Sequence, residues 1–235
     1  MLFKIKETIV TIIAEKDTHI EAAKKEIQKR RREIEQFIQE DNFFKFTFEP
    51  YKYPKDAPKV IKKMCRSSEK FNIGPMSTVA GVIAEYAVKA MISSGAQYAI
   101  VDNGGDIALF SNKTVNVGIY TGNTSTDNFA LQILPRDNIL GICASSGKIG
   151  HSLSFGNTDA VIVISYDVAL ADAAATALGN LVNTEKDIKN AFKILEHIKE
   201  ISAAMIIIDN KIGLWGKVPK IIPAKVPYEL ITKGW

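Results

Sequence analysis

Apolar residues in the first fifth of the chain recur at helical spacing. Ile20, Ala23, Ile27, Ile34, Phe37 and Ile38 form one stripe, and Thr18-x-x-Glu21 just before them has the form of a capping box. The spacing predicts a long amphipathic helix opening near Thr18. Phe43–Phe48 then reads as a strand, and Pro50, Pro54 and Pro58 punctuate an extended connection. A second helical stripe, Val79, Val82, Ile83, Tyr86, Ala87, Ala90 and Met91, follows Gly74-Pro75-Met76-Ser77-Thr78, where Pro and Ser/Thr mark a helix start. Beyond it the pattern becomes that of strands. Tyr98–Val101 and Ile107–Phe110 flank Asn103-Gly104-Gly105, and Val115–Tyr120 and Phe129–Leu134 alternate as half-buried strands. Leu140–Cys143 and Asp159–Ile164 are apolar runs, the second leading into an alanine-rich helix, Ala171–Leu178. A further helix is expected over Thr184–Ile201, then strands at Ala204–Ile208 and Ile212–Trp215. Strands outnumber regular β-α-β alternation. That predicts an α+β fold with an antiparallel-rich mixed sheet packed against helices.

Composition narrows the setting. At 235 residues, 46% hydrophobic and 24% charged, the chain suits a single domain, with an N-terminal strand and basic helix over 1–57 and a core over 58–235. Part of the net charge of +4 comes from Lys24-Lys25 and Lys29-Arg30-Arg31-Arg32. Glu21, Glu26, Glu33 and Glu35 are interspersed and no aromatics interleave, so this run reads as a solvated, salt-bridged face and not as a nucleic-acid surface. Met1–Glu7 lacks the apolar core of a signal peptide, and no segment reaches the roughly 18 apolar residues of a membrane span. A cytoplasmic protein that does not enter a membrane is expected. Cys65 and Cys143 fit neither a CxxC motif nor a disulfide framework and read as reduced thiols, Cys143 as a small buried hydrophobe.

Two segments carry candidate chemistry. In Ala171–Leu178, Asp172 and Thr176 stand four residues apart on one helical face among alanines, offering two hard oxygen donors of the kind Mg²⁺ prefers. The same pair also suits a solvated edge with a local hydrogen bond. Asn103-Gly104-Gly105-Asp106 admits two readings as well: a tight hairpin turn, or a loop whose bare backbone receives a phosphorylated or flat ligand beside Asp102 and Asp106. Ser77, Thr78 and Gly81 stand at a helix start whose free amides could hold a phosphate. His151, in a loop with Ser152 and Ser154, is a candidate to line the site.

These motifs carry a resemblance. Asn103-Gly104-Gly105-Asp106-Ile107, the pair Ser146-Gly147 after a strand, and Ala171-Asp172-Ala173-Ala174-Ala175-Thr176-Ala177 follow one another as in the ApbE superfamily of FAD:protein FMN transferases, over about Gly74–Gly179. The chain looks like a short, cytosolic, uncharacterised branch of it. The resemblance implies an ApbE-like, T-fold-related architecture and a Mg²⁺-dependent FAD or FMN site. Asp172 and Thr176 would hold the metal and act with His151 in catalysis. Ser77, Thr78, Gly81, Asn103, Gly104, Gly105, Asp106, Ser146 and Gly147 would contact the nucleotide. It further implies a flavin nucleotide or another phosphorylated small molecule as ligand, a protein partner, and a cleft shared in a homo-oligomer. There are departures. The family's lysine is replaced by Ala80, its terminal aspartate by Glu85, and its Pro-Arg-Thr-Gly segment is missing around Gly150–Gly156. Flavin transfer is therefore expected to be slow or absent. The alternative is a non-flavinylating accessory protein in anaerobic sulfur and homocysteine metabolism that keeps the fold.

Overall fold

Alternation of side chains across one long sheet organises the molecule. The computed structural model describes residues 1–121, 129–148 and 156–224. In chain order the strands are β1 (Leu2–Ile5), β2 (Thr8–Ala14), β3 (Tyr98–Asn103), β4 (Asp106–Ser111), β5 (Val115–Gly118), β6 (Phe129–Ile133), β7 (Arg136–Ser145), β8 (Ala160–Ser165), β9 (Ile201–Ile208), β10 (Lys211–Gly216) and β11 (Lys220–Pro223). The helices are α1 (Asp17–Glu40), α2 (Phe43–Phe46), α3 (Lys59–Glu69), α4 (Val79–Ser93), α5 (Val168–Leu181) and α6 (Ile188–Ala191). Eight strands form one sheet in the order β1-β2-β3-β4-β7-β8-β9-β10, and β11-β6-β5 form a second. Every described pairing is antiparallel. The expected α+β class is what the chain adopts.

Period-2 alternation sorts the core into two layers. Ala99, Val101, Ala108, Cys143, Val161, Val163, Ala204 and Ile206 face helices α1, α3, α4 and α5. Their neighbours Ile100, Leu109, Ile142, Ile162, Ile164, Met205 and Ile207 face the three-stranded sheet through Val117, Leu131 and Ile133. Small side chains on the helical side let α4 and α5 lie close to β4 and β7, which sets the depth of the candidate site.

Three local expectations are corrected. The Phe43–Phe48 segment is not a strand: it turns through α2, because Phe44 is fully buried and meets Phe37 and Tyr51 edge-on at 5.1 and 5.2 Å. One well-seated ring overrides the β preference of the run. The capping box at Thr18 is not formed. α1 starts at Asp17, which places Thr18 inside the first turn, and its N-cap residue, Lys16, makes no side-chain capping bond. The long helix over Thr184–Ile201 is replaced by short turns: Glu185–Asp187, α6 and Phe192–Leu195, opened by a capping box between Thr184 and Asp187. Ala191, Phe192 and Leu195 are its buried anchors, and by Ile201 the chain has entered the sheet as β9.

Candidate functional site

α5 begins where Asp167 accepts the Leu170 N–H at 3.1 Å, a standard N-cap. Ala171, Ala173, Ala174 and Ala175 are fully buried, so nothing bulky holds α4 away from α5. α4 supplies Gly81 at the contact. A Cβ on Gly81 would lie 2.8 Å from Asp172 Cβ and 3.0 Å from the Val168 carbonyl, so close approach explains a glycine that weakens a helix interior by roughly 1 kcal/mol. Asp172 is left 6% exposed. Its Oδ2 accepts the Gly81 N–H at 2.8 Å.

The segment Asn103-Gly104-Gly105-Asp106 is a hairpin turn and also reaches this contact. Gly104 and Gly105 take φ values of +70° and +101°, the paired positive angles of a primed two-residue turn. The Gly105 N–H donates to Asp102 Oδ1 at 2.8 Å. Asn103 Nδ2 donates to the Ala80 carbonyl at 3.1 Å, which ties the hairpin to the start of α4. Asp106 is buried, and its Oδ1 has no hydrogen-bond partner. Burial, and then the charge of Asp172, hold the Asp106 carboxyl well above the ordinary carboxylate range, against the hydrogen bond from the Cys143 thiol. Burial likewise pushes Asp172 up to about 7, opposed by the Gly81 amide. Two carboxyls from different elements are therefore both desolvated, and the charge of Asp172 bears on Asp106. They resist carrying two negative charges together.

Thr176 lies one turn beyond Asp172 on α5 and is half-buried. Among the described residues no three His, Cys, Asp or Glu side chains converge as a ready-made metal cluster. A cation here would draw on Asp172, Thr176 and oxygens of the backbone or a ligand. Cys143 is fully buried, and burial, with Asp106 and Asp172 nearby, raises its thiol far above the ordinary range. It is a packing residue and not a nucleophile.

Other sequence candidates have local duties. The Ser77 hydroxyl donates to the Gly74 carbonyl at 2.7 Å, and that of the fully buried Thr78 to the Pro75 carbonyl at 2.8 Å, closing the 3₁₀ turn Pro75–Thr78 before α4. The Ser146 hydroxyl donates to the Thr158 carbonyl at 3.3 Å and accepts the Lys148 N–H at 3.1 Å. The Gly147 N–H donates to that same carbonyl at 3.0 Å. A Cβ on Gly147 would overlap the Gly156 carbonyl oxygen at 1.9 Å, so this pair brings two stretches of backbone together. His151, Ser152 and Ser154 lie outside the described residues.

Sequence reasoning missed an ion cluster one turn below the carboxyl pair. Glu85 of α4 is buried, and its Oε1 takes Lys63 Nζ at 3.1 Å and Lys89 Nζ at 2.5 Å, while its Oε2 is unpartnered. Lys63, from α3, also reaches Asp167 Oδ2 at 2.9 Å. The only signal was Glu85 itself, a carboxylate inside an apolar stripe, because Lys63 is 104 residues from Asp167.

Comparison with known proteins agrees with this architecture. A family model described as AbpE bacteria matches residues 1–205, a wider span than the central motifs and one that includes the N-terminal hairpin and α1. A UPF0280 protein of Methanosarcina acetivorans is 50% identical over 233 residues, covering 99% of this chain and 92% of the relative. One from Methanothrix thermoacetophila is 49% identical, covering 99% and 98%. Among solved structures, the flavin transferase ApbE of Vibrio cholerae superposes with a TM-score of 0.57 at 12% identity, covering 92% of this chain and 95% of that one. The apo flavinyl transferase ApbE of Pseudomonas stutzeri does so with 0.57 at 13%, covering 100% and 97%. No described helix is long and apolar enough to cross a membrane. The fold is that of the ApbE proteins, and the chain belongs to the family described as AbpE bacteria.

Proposed function

We propose that the place where the Asn103–Asp106 hairpin meets the α4–α5 contact binds a flavin nucleotide, FAD or FMN, together with Mg²⁺. The observation that carries this reading is the buried pair Asp106 and Asp172, with Asp106 Oδ1 unpartnered. Two desolvated carboxyls close enough for one to feel the charge of the other are costly to ionise, and a divalent ion is the counter-charge that suits hard oxygens. Asp172 and Thr176 would hold the metal. When bound, it would neutralise a diphosphate and the charge on a departing phosphate. The chain's own residues then have defined tasks. Gly81 directs Asp172 through its N–H, Asn103 fixes the hairpin against Ala80, and Gly104 and Gly105 leave room for a ligand at backbone distance.

FMN transfer from such a site is expected to be weak. Ala80 stands where the family has lysine, and the nearby amines of Lys63 and Lys89 are engaged on Glu85. That engagement also favours the second reading, a non-flavinylating accessory protein in anaerobic sulfur and homocysteine metabolism that keeps the fold. Calorimetry of FAD with Mg²⁺ and with EDTA tests the proposal. Tighter binding with Mg²⁺, abolished in Asp172→Ala while circular dichroism is unchanged, is expected; equal affinity under both conditions overturns the metal role.

A further inference from the structure

The two outer strands of the large sheet are finished differently. β1 is four residues long and carries Lys4, the short and charged form that discourages further pairing. β10, at the opposite edge, pairs only with β9 among the described residues, and its interior Ile212-Gly213-Leu214-Trp215 has no charge. Its register places Ile212 beside Ile207 and Leu214 beside Met205. Those partners are buried, yet Ile212 and Leu214 are 46% and 51% exposed. On the other face Gly213 lies against Ile188 and Phe192, where a Cβ would come 2.3 Å from Ile188 Cγ2. The edge strand and these two side chains line an open groove of about 520 Å³. Lys186, Lys189 and Lys211 also line it, against one carboxylate, Glu185, which lies 3.9 Å from Lys211 Nζ.

We propose that the β10 edge receives an extended, acid-flanked segment of a partner protein as an added strand. Among the described residues this edge has no second strand partner, so its outward main-chain groups can serve as donors and acceptors. Successive side chains of the segment would meet Ile212 and Leu214 on one face and Ile188 and Phe192 on the other. Carboxylates at its ends answer the three lysines. A second copy of this chain is the poorer occupant, because antiparallel pairing about Gly213 brings two lysine-rich rims together. This surface is separate from the Asp106–Asp172 carboxyl pair, and its test does not depend on nucleotide binding.

Fluorescence anisotropy of the full-length chain with a labelled peptide, Val-Ile-Val flanked on each side by two glutamates, tests the proposal. Binding is expected to weaken about tenfold in high salt and by a similar factor in the Lys186→Glu/Lys189→Glu variant. Leu214→Thr keeps a strand-forming residue and is expected to weaken binding with little change in salt dependence. Equal binding of a peptide with lysines in place of the glutamates overturns the proposal. So does the absence of binding at millimolar peptide, or a dimer in analytical ultracentrifugation that Leu214→Thr dissociates.

Discussion

Replacing Asp172 with Asn should make the metal-free protein more stable at pH 8 while removing its response to Mg²⁺. The carboxyl titrates at its ordinary 3.8 when unfolded and at about 7 when folded, because burial disfavours its charged form. Between those values the folded state binds more protons than the unfolded one, so stability falls as pH rises and the loss is complete above about 7. Each pKa unit is worth about 1.4 kcal/mol, so holding this carboxylate ionised destabilises the fold by about 4 kcal/mol. Asn has the same shape, keeps an oxygen for the Gly81 N–H, and carries no charge to desolvate. In EDTA at pH 8 the variant should therefore melt about 10 °C higher than wild type, and at pH 4 the two should nearly coincide. Mg²⁺ should raise the wild-type melting temperature and leave the variant where it was. Thermal unfolding followed by circular dichroism across pH, with and without Mg²⁺, decides the matter. If the variant is less stable than wild type at pH 8 without metal, the carboxylate is satisfied within the fold and the reasoning fails.

The other expectations follow from the same contacts. Gly81→Ala forces a methyl to 2.8 Å from Asp172 Cβ and should destabilise by about 2 kcal/mol in urea titrations despite alanine's better helix propensity; a neutral result would mean the α4–α5 contact is loose. Lys63→Met strips a cation shared by buried Glu85 and by Asp167 and should lower stability by about 2 kcal/mol, with Lys63→Arg recovering part of it. Cys143 should react with Ellman's reagent only as fast as the chain unfolds, and faster labelling would show an opening that the packing does not provide. An acceptor peptide incubated with protein, FAD and Mg²⁺ should show little FMN adduct by mass spectrometry, since a missing cation at a developing phosphate charge commonly raises a barrier by several kcal/mol; rapid stoichiometric labelling would contradict the weight placed on Ala80.

What could be read from the chain was whatever a local pattern determines. The α4 stripe, the two-glycine hairpin and the alanine-rich α5 each have a short-range cause, and each forms where the spacing places it. Phe43–Phe48 failed because its conformation is set by Phe44 docking on Phe37 and Tyr51, a tertiary contact that outweighs the preference of the segment. The break-up of the helix expected after Thr184 has a similar origin. Ile188 and Phe192 pack on Gly213, more than twenty residues later in the chain.

The candidate site shows the same division more sharply. Asp172 and the glycine turn were conspicuous in the sequence, but nothing local told that Asp106 would be buried within reach of the charge of Asp172 or that Gly81 would donate to Asp172 across 91 residues. That convergence is made by the absence of side chains: alanines on α5 and glycine on α4 remove the bulk that would keep the helices apart. Close approach in turn excludes water from the carboxyls, and dehydration raises their pKa values. A larger residue at position 81 would push the helices apart and rehydrate Asp172, easing its electrostatic strain at the expense of the α4–α5 packing and leaving less reason to take up a cation. The sequence feature that weakens α4 is thus the one that makes the carboxyl pair a candidate binding site.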